Sequence, residues 1–257
     1  MSAVERVATN VRQQVSAEEW ATRVDLAACY RLIAHFGWDD LVFTHISARV
    51  PGTHDFLINP YGLMFEEVTA SNLVRVDLAG VKTLASAYEI NPAGYTIHSA
   101  IHEVREDAGC VLHLHTMAGI AVAAQKGGLL PISQQATLIM LSLSYHEYEG
   151  LALNPDEKAR LQADLGPTHH MILRNHGLLT VGRTVSDAFV SMYSLQRACE
   201  IQVMAQAGGS SQLIGIPQKV LDTVPEFVRL VTRGAGTGLV WPALLRKMDR
   251  LDASYRE

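Results

Sequence analysis

Apolar positions along the chain change period several times, and each change marks an element. Ser16-Ala17-Glu18-Glu19 has the form of a capping box, and Trp20, Val24, Leu26, Ala27, Leu32 and Ile33 follow at helical spacing, so a helix is predicted over about 17–35. Segments 41–50 (LVFTHISARV) and 55–59 (DFLIN) read as strands around a Pro-Gly turn, and NPYG at 59–62 is a further turn signal. A helix is expected from about 94 to 105, followed by a Glu-Asp-Ala-Gly turn and the strand CVLHLH at 110–115. Thr116 is placed to cap a helix through MAGIAVAAQKG, which the Gly127-Gly128 pair ends. LIMLSLSY at 138–145 reads as an apolar surface segment and YHEYEG, with Tyr145 and His146, as a structural turn. Residues 156–164 suggest a short helix, HMILRN and LLTVG two strands joined through Asn175-His176-Gly177, and 184–209 a long helix closed by a double glycine. The remainder reads as peripheral helices linked by a flexible GAGTG at 234–238. At the end, Trp241, Leu244, Leu245, Met248 and Leu251 recur at helical spacing and form one apolar face.

Strands and helices alternate throughout, so the expected class is α/β. Residues 1–210 form the main domain, and 211–257 form a helical extension packed on that domain or on a neighbouring subunit. A chain of 257 residues, 48% hydrophobic and 18% charged, can bury a large core. A net charge of −5 without Lys/Arg runs argues against nucleic acid as a partner. No apolar run reaches the roughly 18–20 residues of a membrane span, and the polar N-terminus lacks a signal-peptide core, so no membrane partner and a cytoplasmic location are expected. Cys29, Cys110 and Cys199 are odd in number, far apart and set among apolar neighbours, which reads as buried free thiols.

The strand CVLHLH carries the chemistry. Side chains two apart on a strand share a face, so His113 and His115 look out together and offer two imidazoles to a metal. A third histidine, His176, stands at a strand-to-strand turn before Gly177, where the absent side chain allows close backbone approach. His98 falls on a helix face directed at the strand that bears His113, while His102, one turn later, reads as solvated or interfacial. His169 and His170 read as an exposed strand start.

These residues and their context resemble the class II aldolase/adducin family. The likeness runs through INPYGLMFEEVT, VLHLHTMAGIAVAAQKGGLLPIS, YHEYEG, ILRNHGLLTVG and the helix through ACEIQ, over about residues 20–210. The resemblance implies a single three-layer α/β/α domain with a central mixed, mainly antiparallel sheet. It also implies one divalent metal (Zn, Mn or Fe) on His113, His115 and His176, with Arg174 and Asn175 orienting His176, and a homotetramer. In the family's sugar-phosphate aldolases a glutamate stands four residues before a helix histidine; counting back from His98, that position here is Gly94. Where those enzymes carry an asparagine in a Gly-Asn-Val/Ile-Ser turn, this chain has His45, and its NPxG loop offers Asn59 and Tyr61. Such a pocket suits a carboxylate or an aromatic ring better than a sugar phosphate. His45, Asn59, Tyr61, His98 and Gln134 are therefore the candidate substrate-binding or catalytic residues. Tyr255 matches the family's C-terminal tyrosine, which completes a neighbouring subunit's site as a proton donor.

The expected activity is a metal-dependent carbon–carbon lyase, by decarboxylation or retro-aldol cleavage, on a small oxo or hydroxy acid chelated to the metal. The alternatives are a non-haem Fe(II) oxygenase of a chelating acid and a non-catalytic adducin-like binding protein. Adducin's membrane-skeleton work depends on a long charged tail that these 257 residues do not include.

Overall fold

The computed structural model describes residues 11–150, 156–209, 212–226 and 235–257. Helix α1 (Ala17–His35) starts where expected, because the Ser16 hydroxyl accepts from the Glu19 amide at 3.1 Å. The Glu19 carboxylate does not close the other half of the box. It pairs with Arg23 at 2.9 Å and Arg75 at 2.7 Å, tying the helix to the sheet.

Seven strands form one sheet in the order β3-β2-β1-β4-β7-β6-β5. They are β1 (His45–Arg49), β2 (Phe56–Ile58), β3 (Val74–Val76), β4 (Cys110–Leu114), β5 (Leu143–His146), β6 (His170–Leu173) and β7 (Gly177–Gly182). Every pairing is antiparallel except β5 with β6, so the sheet is mixed and mainly antiparallel. Period-two alternation gives the sheet two apolar faces. Ile46, Leu57, Cys110, Leu112, Leu114, Ile172 and Leu178 pack under α1 and the long helix α6 (Val185–Gln206). On the other face Val111, Met171, Leu179 and Val181 pack under α2 (Pro92–Val104) and α5 (Glu157–Leu165). The three layers are those expected. Strand β4 is buried on both faces, so His113, in step with Val111, points into the layer covered by α2.

Several elements differ from the sequence reading. The strand expected over 41–50 begins only at His45, because Leu41 takes a left-handed φ of 49° and Leu41 and Phe43 are exposed. Helix α2 starts two residues early: Asn91 caps it through the Ala93 amide at 3.0 Å, and Pro92 sits in its first turn. Short α3 (Met117–Ala123) ends before the glycine pair, and β3 was not expected. LIMLSLSY is divided between α4 (Gln134–Met140), which buries Ala136 and Ile139, and edge strand β5. Tyr145 and His146 therefore lie in a strand and not in a turn. Beyond the small helix α7 (Gln218–Leu221), residues 235–240, which take in 235–238 of the expected linker, form a π-helical turn leading into α8 (Trp241–Leu251), and residue 234 lies outside the described residues. Cys29, Cys110 and Cys199 are free and buried, and burial pushes their thiols well up, away from ionisation at neutral pH.

Candidate metal centre

His113, on β4, and His115, just past its end, converge with His176 from the turn between β6 and β7, their ligand nitrogens all within 4.8 Å of one another. The β4/β7 register, which sets Leu114 opposite Leu178, places the end of one strand beside the start of the other. Asn175 makes the turn possible with φ 55°, a left-handed conformation that Asn tolerates better than most residues. Gly177 has a different reason to be glycine: a Cβ there would lie 2.4 Å from the Leu114 carbonyl. The close approach is backbone against backbone, and it brings His176 up to the pair.

Hydrogen bonds fix the tautomers. His113 Nδ1 is 3.1 Å from the Leu178 carbonyl, which can only accept, so Nδ1 carries the proton and Nε2 the lone pair. His115 Nδ1 is 3.0 Å from the Asp40 carboxylate, with the same consequence. With one proton on each ring, the two Nε2 atoms then face each other at 3.0 Å as lone pairs. Burial and the neighbouring histidines hold His113 far below the usual histidine range and His176 at about 4, so a proton is a poor bridge. A divalent cation between the nitrogens removes the repulsion, and neutral imidazole is the ligand it takes. Nδ1 bonded to a carbonyl or carboxylate is the usual support of a metal-binding histidine. The residues fit the metal.

Beside this cluster lies a second group of imidazoles. His45, the cross-strand partner of His113, has its ring centre 5.1 Å from that ring, and its Nδ1 meets His98 Nε2 at 2.8 Å. His98 Nδ1 reaches Ser47 Oγ at 2.5 Å, which reaches His102 Nε2 at 2.7 Å. Burial keeps His45, His98 and His102 neutral, His102 at about 3. His102 is thus buried, not solvated, and it stacks on Phe56.

The other candidates have partners of their own or are exposed. The Asn59 side chain accepts from the Tyr30 hydroxyl at 2.9 Å, and Tyr61 is 44% exposed. Gln134 is exposed at the start of α4. Arg174 donates to the Gln125 carbonyl and covers the Tyr145 ring, and Asn175 acts through its backbone, so neither side chain bonds His176. Tyr255 is fully buried in its own chain, its hydroxyl on Asp249 at 2.8 Å and its carbonyl accepting from Ala70. Within the single chain its hydroxyl is thus already engaged. His170 is the buried first residue of β6, held at about 4 by burial, where an exposed position was expected. Asp40, Ser47 and Tyr148, whose ring centre lies 6.3 Å from that of His176, were not anticipated. No sequence pattern marks Asp40. Ser47 carried a signal, being two residues from His45 on the same strand face.

The fold and this centre define a class. Residues 24–203 match the Class II Aldolase and Adducin N-terminal domain, and the chain belongs to that family. It is 62% identical, over the whole of both chains, to a protein of Pseudomonas aeruginosa provisionally named an aldolase class 2 protein. Rat alpha-adducin is 48% identical over 198 residues, which are 75% of this chain and 27% of adducin. Among solved structures, an aldolase II superfamily protein from Pseudomonas syringae superposes with a TM-score of 0.91 at 49% identity, covering 96% of this chain and 99% of that one. The L-fuculose 1-phosphate aldolase of Glaciozyma antarctica gives a TM-score of 0.82 at 28% identity, covering 94% of each.

Proposed function

We propose that the chain is a divalent-metal-dependent carbon–carbon lyase acting on a small oxo or hydroxy acid bound at the three-histidine centre. The observation that carries this reading is the pair of imidazole lone pairs, His113 and His115 Nε2, facing each other at 3.0 Å with their protons committed elsewhere. A bound divalent ion supplies Lewis-acid stabilisation of the negative charge that grows on a carbonyl oxygen as the carbon–carbon bond breaks. His113, His115 and His176 hold it with neutral donors, so the centre keeps its full positive charge and favours an anionic, bidentate substrate. Among the described residues no carboxylate joins the three nitrogens as a further ligand; Asp40 bonds the far side of His115, and the neutral imidazole of His45 lies beside His113. That set of groups suits decarboxylation, which starts without a base, as well as retro-aldol cleavage. Membership of the family and 28% identity to an L-fuculose 1-phosphate aldolase support the lyase class.

The 48% identity to alpha-adducin favours a second reading, a binding protein that keeps the metal without turnover. The test is an anaerobic screen of Mn- or Zn-loaded protein against 2-oxo, 2-hydroxy and ortho-hydroxy carboxylates, scored for carbon dioxide or aldehyde release. Turnover without oxygen, lost in His113→Ala, supports the lyase. Turnover only with iron and oxygen selects the oxygenase, and inactivity across the panel selects the binding protein.

A further inference from the structure

Gly94 lies in the first turn of α2 with an ordinary helical φ, so its backbone does not ask for glycine. Space does. A Cβ at residue 94 would come within 2.6 Å of the His45 ring, closer than real Cβ contacts run. The imidazole of His45 therefore fills the volume that a side chain at 94 would need. The ring is also held from behind: Nδ1 meets His98 Nε2, His98 Nδ1 meets Ser47 Oγ, and Ser47 Oγ meets His102 Nε2. All four residues are at most 3% exposed. The chain ends at His102, beyond which no further side chain among the described residues takes up the hydrogen bonding, so it does not lead a proton out to solvent. Its geometry serves to hold a ring. With Nδ1 taken, His45 has Nε2 free for hydrogen bonding, beside His113.

We propose that His98, Ser47 and His102 are positioning residues for His45, and that Gly94 admits the His45 ring to the edge of the metal centre, where its Nε2 hydrogen-bonds the chelated acid. The last part rests on the substrate reading above; the positioning does not. A neutral imidazole there gives a hydrogen bond without offsetting the charge of the centre, as a carboxylate at the same place would.

Two readouts test this on zinc-loaded full-length protein. In ring nitrogen–proton spectra of histidine-labelled protein, Ser47→Ala and Gly94→Ala should both shift the His45 signals, identified by their loss in His45→Ala, while the signals of the metal-bound histidines stay in place. His102→Gln, which keeps a hydrogen-bonding atom near Nε2, should restore most of the shift that His102→Ala causes. In calorimetric titration with oxalate, His45→Ala should weaken binding about tenfold, the loss of one hydrogen bond. Ser47→Ala should weaken it less, and should add nothing in the His45→Ala background. Unmoved His45 signals in both Ser47→Ala and Gly94→Ala, or an equal effect of Ser47→Ala with and without His45, overturns the positioning. Wild-type protein that binds no oxalate, with His45 signals responding as stated, overturns the chelation reading and upholds the positioning.

Discussion

At the scale of single residues, two of the three imidazoles, His113 and His115, have one ring nitrogen tied down and the other turned to the cluster. Asp40 on His115 Nδ1 is such a tie, and Asp40→Asn should cost roughly 10–100-fold in metal affinity by competition titration, while His115→Ala abolishes binding. Unchanged affinity in Asp40→Asn would mean that the ring is oriented by something else. Buried neutral histidines away from the metal set the acid sensitivity. His170 and His102 sit at about 4 and about 3 in the fold against about 6.5 unfolded. The unfolded chain therefore binds more protons between those values. Stability is fully present above about pH 6.5 and falls as pH drops toward the folded values, by on the order of 2 kcal/mol for His170 at pH 5. Urea unfolding at pH 7 and pH 5 measures this, and His170→Gln should shrink the difference. The convergence of His113 and His115 was legible because strand alternation puts i and i+2 on one face whatever the tertiary context. The burial of His102 and His170 was not, since a polar residue type does not disclose which layer will cover it, and Asp40 reaches His115 across 75 residues of chain.

At the scale of elements, the turn from β6 to β7 is the part on which the site depends most. Asn175 supplies the left-handed residue, so Asn175→Gly should be nearly neutral and Asn175→Val should lose about 1–2 kcal/mol in thermal unfolding. Gly177→Ala forces the Leu114 carbonyl away, so it should weaken metal binding as well as stability, a combination that Asn175→Val need not show. A Gly177→Ala protein with wild-type metal affinity would separate the turn from the site. Helices were legible from period and caps, short or long: Ser16, Thr116 and Thr184 all cap as their residue types promise. The three-residue β3 was not, because a run as short as Val-Arg-Val has too few positions to show a period. α4 and β5 merged in the sequence reading because an apolar run that changes from one period to the other without glycine or proline has no internal mark.

At the scale of the whole molecule, the two-faced sheet brings the end of β4 and the start of β7 together at one place, and the C-terminal segment packs on α1 of its own chain. Trp241 donates to Asp25 and Arg31 binds Asp252, so α8 and the final turn close over α1 of the same chain. Tyr255→Phe should therefore cost about 1 kcal/mol of stability through the lost bond to Asp249 and leave turnover unchanged. A tenfold fall in turnover at wild-type stability would return Tyr255 to the site. The homotetramer is proposed from the family, with Met117, Leu138, Met140, Leu141 and Tyr148 as exposed apolar residues that a neighbour would cover. Light scattering that gives a 28.1 kDa particle at micromolar concentration would contradict it. The central claim is that His113, His115 and His176 hold one divalent ion. Elemental analysis of protein purified without oxygen tests it most directly. One equivalent of zinc, manganese or iron per chain, absent from a folded His115→Ala variant, is the predicted result. Folded wild-type protein that carries no metal and takes none up from a solution of the three, or a His115→Ala variant that keeps its full equivalent, would contradict it.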